Sequence, residues 1–244
     1  MNIAVILAGG TGNRFGSDSP KQFATVGGQT ILGLTVKVFA ANGRIDEICV
    51  GSHKDWIDHT HDIVQATVGE SKKFSVIEGG DERYMSSLNA VMKHIDYPDN
   101  TNLIFHDAAR PCLDASVLDA VLDALAQSEA VAVGTPCTDT LWEVAVTGEA
   151  MKQTPACPYS LLRVPERRRY WMAQTPQAFR LPVIRDAWQR ALQDPMFQAT
   201  DDCSVVSRYK PETKIRLVQG NADNLKITHP HDLEVLRTIM KQQL

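Results

Sequence analysis

Short, continuously apolar runs recur along the chain with helix-period segments between them, and this alternation constrains the fold more than any other feature. The runs lie at residues 3–7, 47–51, 74–77, 102–105 and 130–134. Apolar residues at helical spacing mark 31–41, 56–67, 85–94 and 116–126. Strands apolar on both faces, joined by amphipathic helices, predict an α/β fold: a Rossmann-like, mostly parallel sheet with helices on both sides. Further helices are expected near 182–192 and 201–209, with a strand at 214–218 and a last helix from His231.

Residues 139–170 break that rhythm. A V-T-G-E turn between two short strand patterns, followed by Pro155, Pro158 and Pro165, predicts a β-arm protruding from the sheet. Its apolar residues Leu141, Trp142, Val144 and Val146 call for a partner, so the arm is expected to join two chains in a homodimer. The alternative is an arm folded back on its own domain. Residues 1–244 are read as one domain bearing this arm.

In such sheets ligands sit beyond the carboxyl ends of the strands. The segments there are "VILAGGTGNRFGSDSPKQF" from residue 5, "EGGDER" from 78, "HDAARP" from 106 and "TPCTDT" from 135. In the first, Gly9, Gly10, Gly12 and Gly16 let backbone N–H groups turn toward phosphate oxygens. Arg14 and Lys21 supply a guanidinium fork and a mobile ammonium, and Pro20 stiffens the approach to Lys21. That pairing suits transfer at phosphorus, where negative charge spreads over several oxygens.

Other classes fit less well. The Walker pattern GxxxxGK[ST] is missing. "TGNRFG" matches part of the short-chain reductase pattern, but no tyrosine has a lysine four residues on. The formal net charge of −4 argues against a nucleic-acid partner. No apolar stretch reaches the roughly 20 residues of a membrane helix, and "MNIAVILAGG" reads as a first strand rather than a signal peptide. The 5 cysteines include no CxxC pair, which fits reduced thiols in the cytoplasm. His59 with His61, and His229 with His231, lack further residues at ligand spacing and read as surface or capping groups. Asp201 and Asp202 follow Thr200 at a helix start, where N-capping accounts for them.

The glycine loop resembles that of the sugar-phosphate nucleotidyltransferases. With "PKQF", "GGDER", "HDAARP", "AQTPQAF", "TDD" and "NLKITHPHDL" in order, the chain is similar to the polyol-phosphate cytidylyltransferases from about residue 3 to 237. This resemblance implies CTP and a polyol phosphate as substrates and Mg²⁺, or another divalent cation, as cofactor. It implies that Arg14, Lys21 and Lys226 are catalytic: Arg14 and Lys21 would hold the triphosphate and stabilise the pentacovalent phosphorus, and Lys226 would reach the α-phosphate. Leu7, Ala8, Gly9, Gly10, Gly12, Gly80, Asp81, Ser86, Asp107, Ala108 and Arg110 would bind the nucleotide, with Asp107 also the metal ligand. Thr140 and Arg167 on the arm, Thr200 and Thr228 would bind the acceptor. The basic run "RVPERRR" that contains Arg167 suits a phosphate.

Two acceptors stay open. "ILAGGTG", "SHKDWIDH" and "VPERRRYW" resemble the ribitol 5-phosphate branch. "HDAARPCL" and "GGDER" look more like the 2-C-methyl-D-erythritol 4-phosphate branch, which carries a basic residue soon after its D-T. Leu141, Trp142 and Glu143 stand there instead, which favours ribitol 5-phosphate or a similar linear polyol phosphate. A relative that binds nucleotide without turning it over is a further alternative, against which Arg14, Lys21, Asp107 and Lys226 argue.

Overall fold

The apolar runs become the middle of one sheet. In the computed structural model, which describes residues 1–10, 20–80, 82–145 and 159–242, β1 (Asn2–Ala8) is followed by a small hairpin of β2 (Thr25–Val26) and β3 (Gln29–Thr30). Then come α1 (Ile31–Ala41), β4 (Glu47–Ser52), α2 (Ile57–Val68), β5 (Lys73–Glu78), α3 (Arg83–Lys93), β6 (Asn102–Asp107), α4 (Ala115–Leu125) and β7 (Ala130–Pro136). The arm contributes β8 (Glu143–Val144) and β9 (Leu161–Arg163). The chain returns through β10 (Trp171–Arg180), α5 (Leu181–Ala191), α6 (Asp202–Tyr209), β11 (Ile215–Gln219) and α7 (Asp232–Gln242).

The strand order is β11-β7-β10-β6-β1-β4-β5. β1 pairs in parallel with β4 and β6, β4 with β5, and β7 with β11. The register sets Leu7 level with Gly51 on one side and with Asp107 on the other, so three carboxyl ends open on one rim. β10 lies antiparallel between β6 and β7. The sequence pattern contains no expectation of it, because Gln174, Thr175, Pro176 and Gln177 interrupt the apolar alternation.

One face of the sheet packs Ile6, Ile48, Ile104 and Val131 against α1, α2 and α4 through Leu32, Phe39, Val64 and Leu118. The other packs Val5, Phe105 and Phe179 against Ala90, Ile184, Trp188 and Val205. Burying each large apolar side chain contributes about 1.5–3 kcal/mol, so the two layers dominate the stability of the rim. A smaller cluster of Ile31, Ala109, Ile227, Leu236 and Ile239 pins the segment before α7 to the rim. The Ile227 N–H donates to the Ala109 carbonyl at 2.8 Å, which fixes the neighbouring Lys226 beside β6.

Thr30 caps α1, Asp114 caps α4 and Asp201 caps α6 through side-chain oxygens that accept backbone N–H groups. On the arm, Trp142, Leu161, Leu162 and Val164 are exposed, while Val146 falls outside the described residues. Cys49, Cys112, Cys137 and Cys203 are free thiols. No helix among the described residues is long and apolar enough to cross a membrane.

Candidate active site

Asp107 ends β6 between three cations. Its Oδ1 accepts from Arg83 Nε at 3.0 Å, its Oδ2 lies 2.9 Å from Lys226 Nζ, and Arg110 Nε is 3.5 Å away. Burial alone would raise this carboxyl, but Arg83 and Lys226 overcome it and hold it well below the usual carboxylate range. Arg83 also reaches Asp202 Oδ2 through Nη1 at 2.9 Å. Burial raises the Asp202 carboxyl, with Arg83 pulling the other way. Burial works against the Arg83 cation too, yet Asp202 and Asp107 outweigh it and keep the guanidinium charged.

Two clefts meet at this cluster. The first is lined by Leu7, Ala8, Gly9, Gly10, Lys21, Gln22, Ser86, Ala108 and Ala109, together with Arg83, Asp107 and Lys226. The second is lined by Arg110, Ala173, Gln174, Thr175, Gln177, Thr200 and Asp201, again with Arg83, Asp107 and Lys226. Those three shared side chains form the wall between the clefts. An arrangement of this kind offers two adjoining compartments with positive charge at their boundary, which suits joining two phosphate-bearing molecules.

The first cleft is closed at its base by small residues. A Cβ on Gly9 would lie 2.6 Å from Ser86 Oγ, so glycine there lets the loop after β1 approach the start of α3. Ser86 Oγ in turn accepts the Gly80 N–H at 3.1 Å and ties in the loop after β5. Gln22 Nε2 donates to the Ala8 carbonyl at 2.7 Å and to that of Gly10 at 3.2 Å. Lys21 Nζ donates to the Ile227 carbonyl at 2.6 Å, which joins the loop to the segment carrying Lys226.

Behind the wall runs a hydrogen-bonded chain. Burial pushes the His106 ring down to about 4, so it is neutral at ordinary pH. Its Nε2 lies 3.0 Å from the Arg110 carbonyl and its Nδ1 2.9 Å from Thr175 Oγ1. Only an Nε2–H tautomer satisfies that carbonyl, so Thr175 donates to Nδ1 and accepts the Asp107 N–H at 3.2 Å. Asn224 Nδ2 donates to the Thr175 carbonyl at 2.8 Å, and Arg110 Nη1 donates to the Asn224 carbonyl at 2.6 Å. β10 thereby braces the backbone on which Asp107 sits.

Of the residues nominated from sequence, Leu7, Ala8, Gly9, Gly10, Lys21, Ser86, Asp107, Ala108 and Lys226 line the first cleft, and Arg110 and Thr200 the second. Gly80 borders the first through Ser86. Gly12, Arg14 and Asp81 lie outside the described residues. Thr140 and Arg167 are exposed on the arm and line neither cleft. Thr228 lines neither as well; its N–H donates to Asp232 Oδ2 at 2.7 Å, at the start of α7.

One expectation needs correction. Asp201 caps α6 as expected, with its partner Ser204 completing a capping box, but Asp202 is fully buried against Arg83 and takes no part in the cap. His59 is at the surface, as expected, with its ring edge-on against Phe23 at a centroid distance of 4.8 Å. Sequence reading passed over Arg83, Gln22 and Thr175. The motifs "GGDER" and "TDD" place opposite charges in two rim loops, the one signal that could have suggested an Arg83–Asp202 pair.

A family model described as "IspD: 2-C-methyl-D-erythritol 4-phosphate cytidylyltransferase" matches residues 2–242. The chain belongs to the IspD cytidylyltransferase family. It is 39% identical to the 2-C-methyl-D-erythritol 4-phosphate cytidylyltransferase of Thermobifida fusca over 98% of this chain and 92% of that protein. It is 37% identical to the bifunctional ribulose 5-phosphate reductase/CDP-ribitol pyrophosphorylase Bcs1 of Haemophilus influenzae, over 95% of this chain and 46% of that protein. The crystal structure of 4-diphosphocytidyl-2C-methyl-D-erythritol synthase from Anaerococcus prevotii superposes with a TM-score of 0.80 at 23% identity, covering 99% of this chain and 96% of that one, and shows the same fold. As an IspD-family member the chain is a nucleotidyltransferase, which sets aside the short-chain reductase alternative.

Proposed function

We propose that the chain, as a single nucleotidyltransferase domain, transfers CMP from CTP to ribitol 5-phosphate or a similar linear polyol phosphate. The observation that carries this reading is the Arg83–Asp107–Lys226 wall shared by two clefts. CTP would occupy the glycine-lined cleft and the acceptor the cleft beside β10. An acceptor phosphate oxygen attacks the α-phosphorus in line, the bond to the bridging oxygen of the β-phosphate breaks, and pyrophosphate leaves. Arg14 and Lys21 hold the triphosphate and take up the charge that builds on the pentacovalent phosphorus, and Lys226 reaches the α-phosphate. Gly80, Asp81 and Ser86 would bind the cytosine and ribose.

Asp107, whose carboxylate is shared by Arg83 and Lys226, would be the residue to hold a divalent cation of the Mg²⁺ type. No cluster of three or more metal-capable side chains exists among the described residues, and Mg²⁺ commonly takes one or two carboxylates, with water and substrate phosphates completing its shell. Such an ion would offset triphosphate charge when bound.

The arm supports a homodimer in which Thr140 and Arg167 grip the acceptor phosphate bound to the other chain. Arg163 pairs with Glu143, and Arg168 and Arg169 pair with Glu166. Arg167 has no acidic partner among the described residues and donates only to the Thr138 carbonyl, so its charge is available. Leu141, Trp142 and Glu143, the last paired with Arg163, stand in the stretch where the methylerythritol branch carries a basic residue, which favours the linear polyol phosphate. The second reading, 2-C-methyl-D-erythritol 4-phosphate, draws on the Thermobifida fusca relative.

Pyrophosphate release with CTP, Mg²⁺ and a panel of polyol phosphates tests both. Ribitol 5-phosphate or a linear homologue should give the highest kcat/KM. Turnover of 2-C-methyl-D-erythritol 4-phosphate alone would replace the acceptor, and silence with every acceptor would overturn the reaction.

A further inference from the structure

Asp202 is fully buried and cannot touch either substrate. It is not needed for the cap of α6, which Asp201 and Ser204 complete. Placing a carboxylate there is costly unless a cation meets it. The cation is Arg83, whose other edge holds Asp107, so one planar guanidinium joins the start of α6 to the end of β6. A fork fixed at both ends has little freedom to rotate. Asp107 is in turn the partner of Lys226, and all three cleft-lining groups sit on the wall between the compartments.

We propose that Asp202 is a positioning residue for nucleotidyl transfer, acting through Arg83 to set Asp107 and, through it, the Lys226 ammonium. Without Asp202, Arg83 is free to pair with Asp107 by both of its edges and so to compete with Lys226. Lys226 then loses its fixed place at the boundary of the clefts. The loss falls on the reacting geometry rather than on CTP affinity, because the cluster becomes more positive when one carboxylate is removed. This inference rests on the reaction proposed above.

The test is Asp202→Asn, assayed for pyrophosphate release at 15 °C, with rates divided by the folded fraction from circular dichroism. The expected result is a kcat lower by about tenfold or more, on the scale of one displaced charge-stabilising group, with the KM for CTP within about threefold of wild type. In an Arg83→Met background, adding Asp202→Asn should cost less than about twofold in kcat, because the residue through which Asp202 acts is gone. The second change should also raise the melting temperature of Arg83→Met, by removing a carboxylate left buried without its cation. If Asp202→Asn does not fold, Asp202→Ser, which leaves room for a water, takes its place. An unchanged kcat per folded enzyme, a loss confined to KM, or losses that multiply independently of Arg83 would each overturn the inference. A wild-type enzyme silent with every acceptor would instead overturn the reaction, so the two failures are distinct.

Discussion

The Lys226 ammonium lies 2.9 Å from the Asp107 carboxylate, and the two side chains together border both clefts. Lys226 is also half-exposed, so its ammonium can meet a phosphate with its remaining N–H groups while it stays beside Asp107. Replacing Lys226 by Met keeps the aliphatic stem and removes the charge. The expected outcome is a kcat about 100-fold lower, as for a lost oxyanion donor, with a much smaller change in the KM for CTP. Steady-state pyrophosphate release checks it. A rise in KM at constant kcat would make Lys226 a ground-state contact only.

Arg167 gives the test of the shared site. A guanidinium gripping a phosphate contributes about 1.5–3 kcal/mol, so Arg167→Ala should raise the KM for the acceptor roughly ten- to a hundredfold and leave that for CTP nearly unchanged. Mixed with Lys21→Ala chains at acceptor concentrations where both variants are inactive, it should regain activity, since some heterodimers carry one intact site. If subunit exchange is demonstrated and the mixture stays inactive, the arm serves its own chain.

The parallel part of the sheet was legible because its strands are apolar on both faces, a pattern that polar loops cannot imitate. β10 was not. Pro176 inside the run "AQTPQAF" argues against a central strand by the ordinary rule that proline cannot donate to a ladder. The register shift between Ala173 and Gln177 accommodates it, and the glutamines there are buried because they meet polar partners such as Asp201. The glycine loop and Lys21 could be nominated from the residues themselves, and Asp107 and Lys226 through the family resemblance that the motifs carry. Arg83 and Asp202 could not, since neither explains itself without a partner 119 residues away.

His106 makes stability depend on pH. Burial holds the folded ring at about 4, against an unperturbed value of about 6.5. Between those values the unfolded chain binds the extra proton and the folded chain does not, so stability rises with pH across the window. Acidification from pH 6.5 to 4 should therefore cost about 3 kcal/mol from this group, and nothing should be lost above the window. Urea unfolding of the metal-free protein at stepped pH measures it. His106→Gln, which keeps a donor for the Arg110 carbonyl, should flatten that part of the profile; an unaltered slope would assign the acid sensitivity elsewhere.

Phe179 tests the core beneath the wall. It is fully buried on β10 with its ring centroid 6.2 Å from that of Phe105. Phe179→Ala should cost about 3–5 kcal/mol, read as a lower urea midpoint at unchanged m. A cost under about 1 kcal/mol would mean that the layer collapses to fill the space.

The place of β10 also bears on how the chain assembles as it leaves the ribosome. β1, β4, β5 and β6 can pair among themselves once residue 107 has emerged, but β7 has no sheet neighbour among them. β7 joins that half only through β10, which is made some 35 residues later, after the arm, and β11 joins only through β7. Until then the free edge of β6, the strand that ends in Asp107, is open to any extended segment nearby. A nascent chain stalled within the arm is thus the species most exposed to wrong pairing, and the strand that carries Asp107 keeps an open edge until β10 covers it.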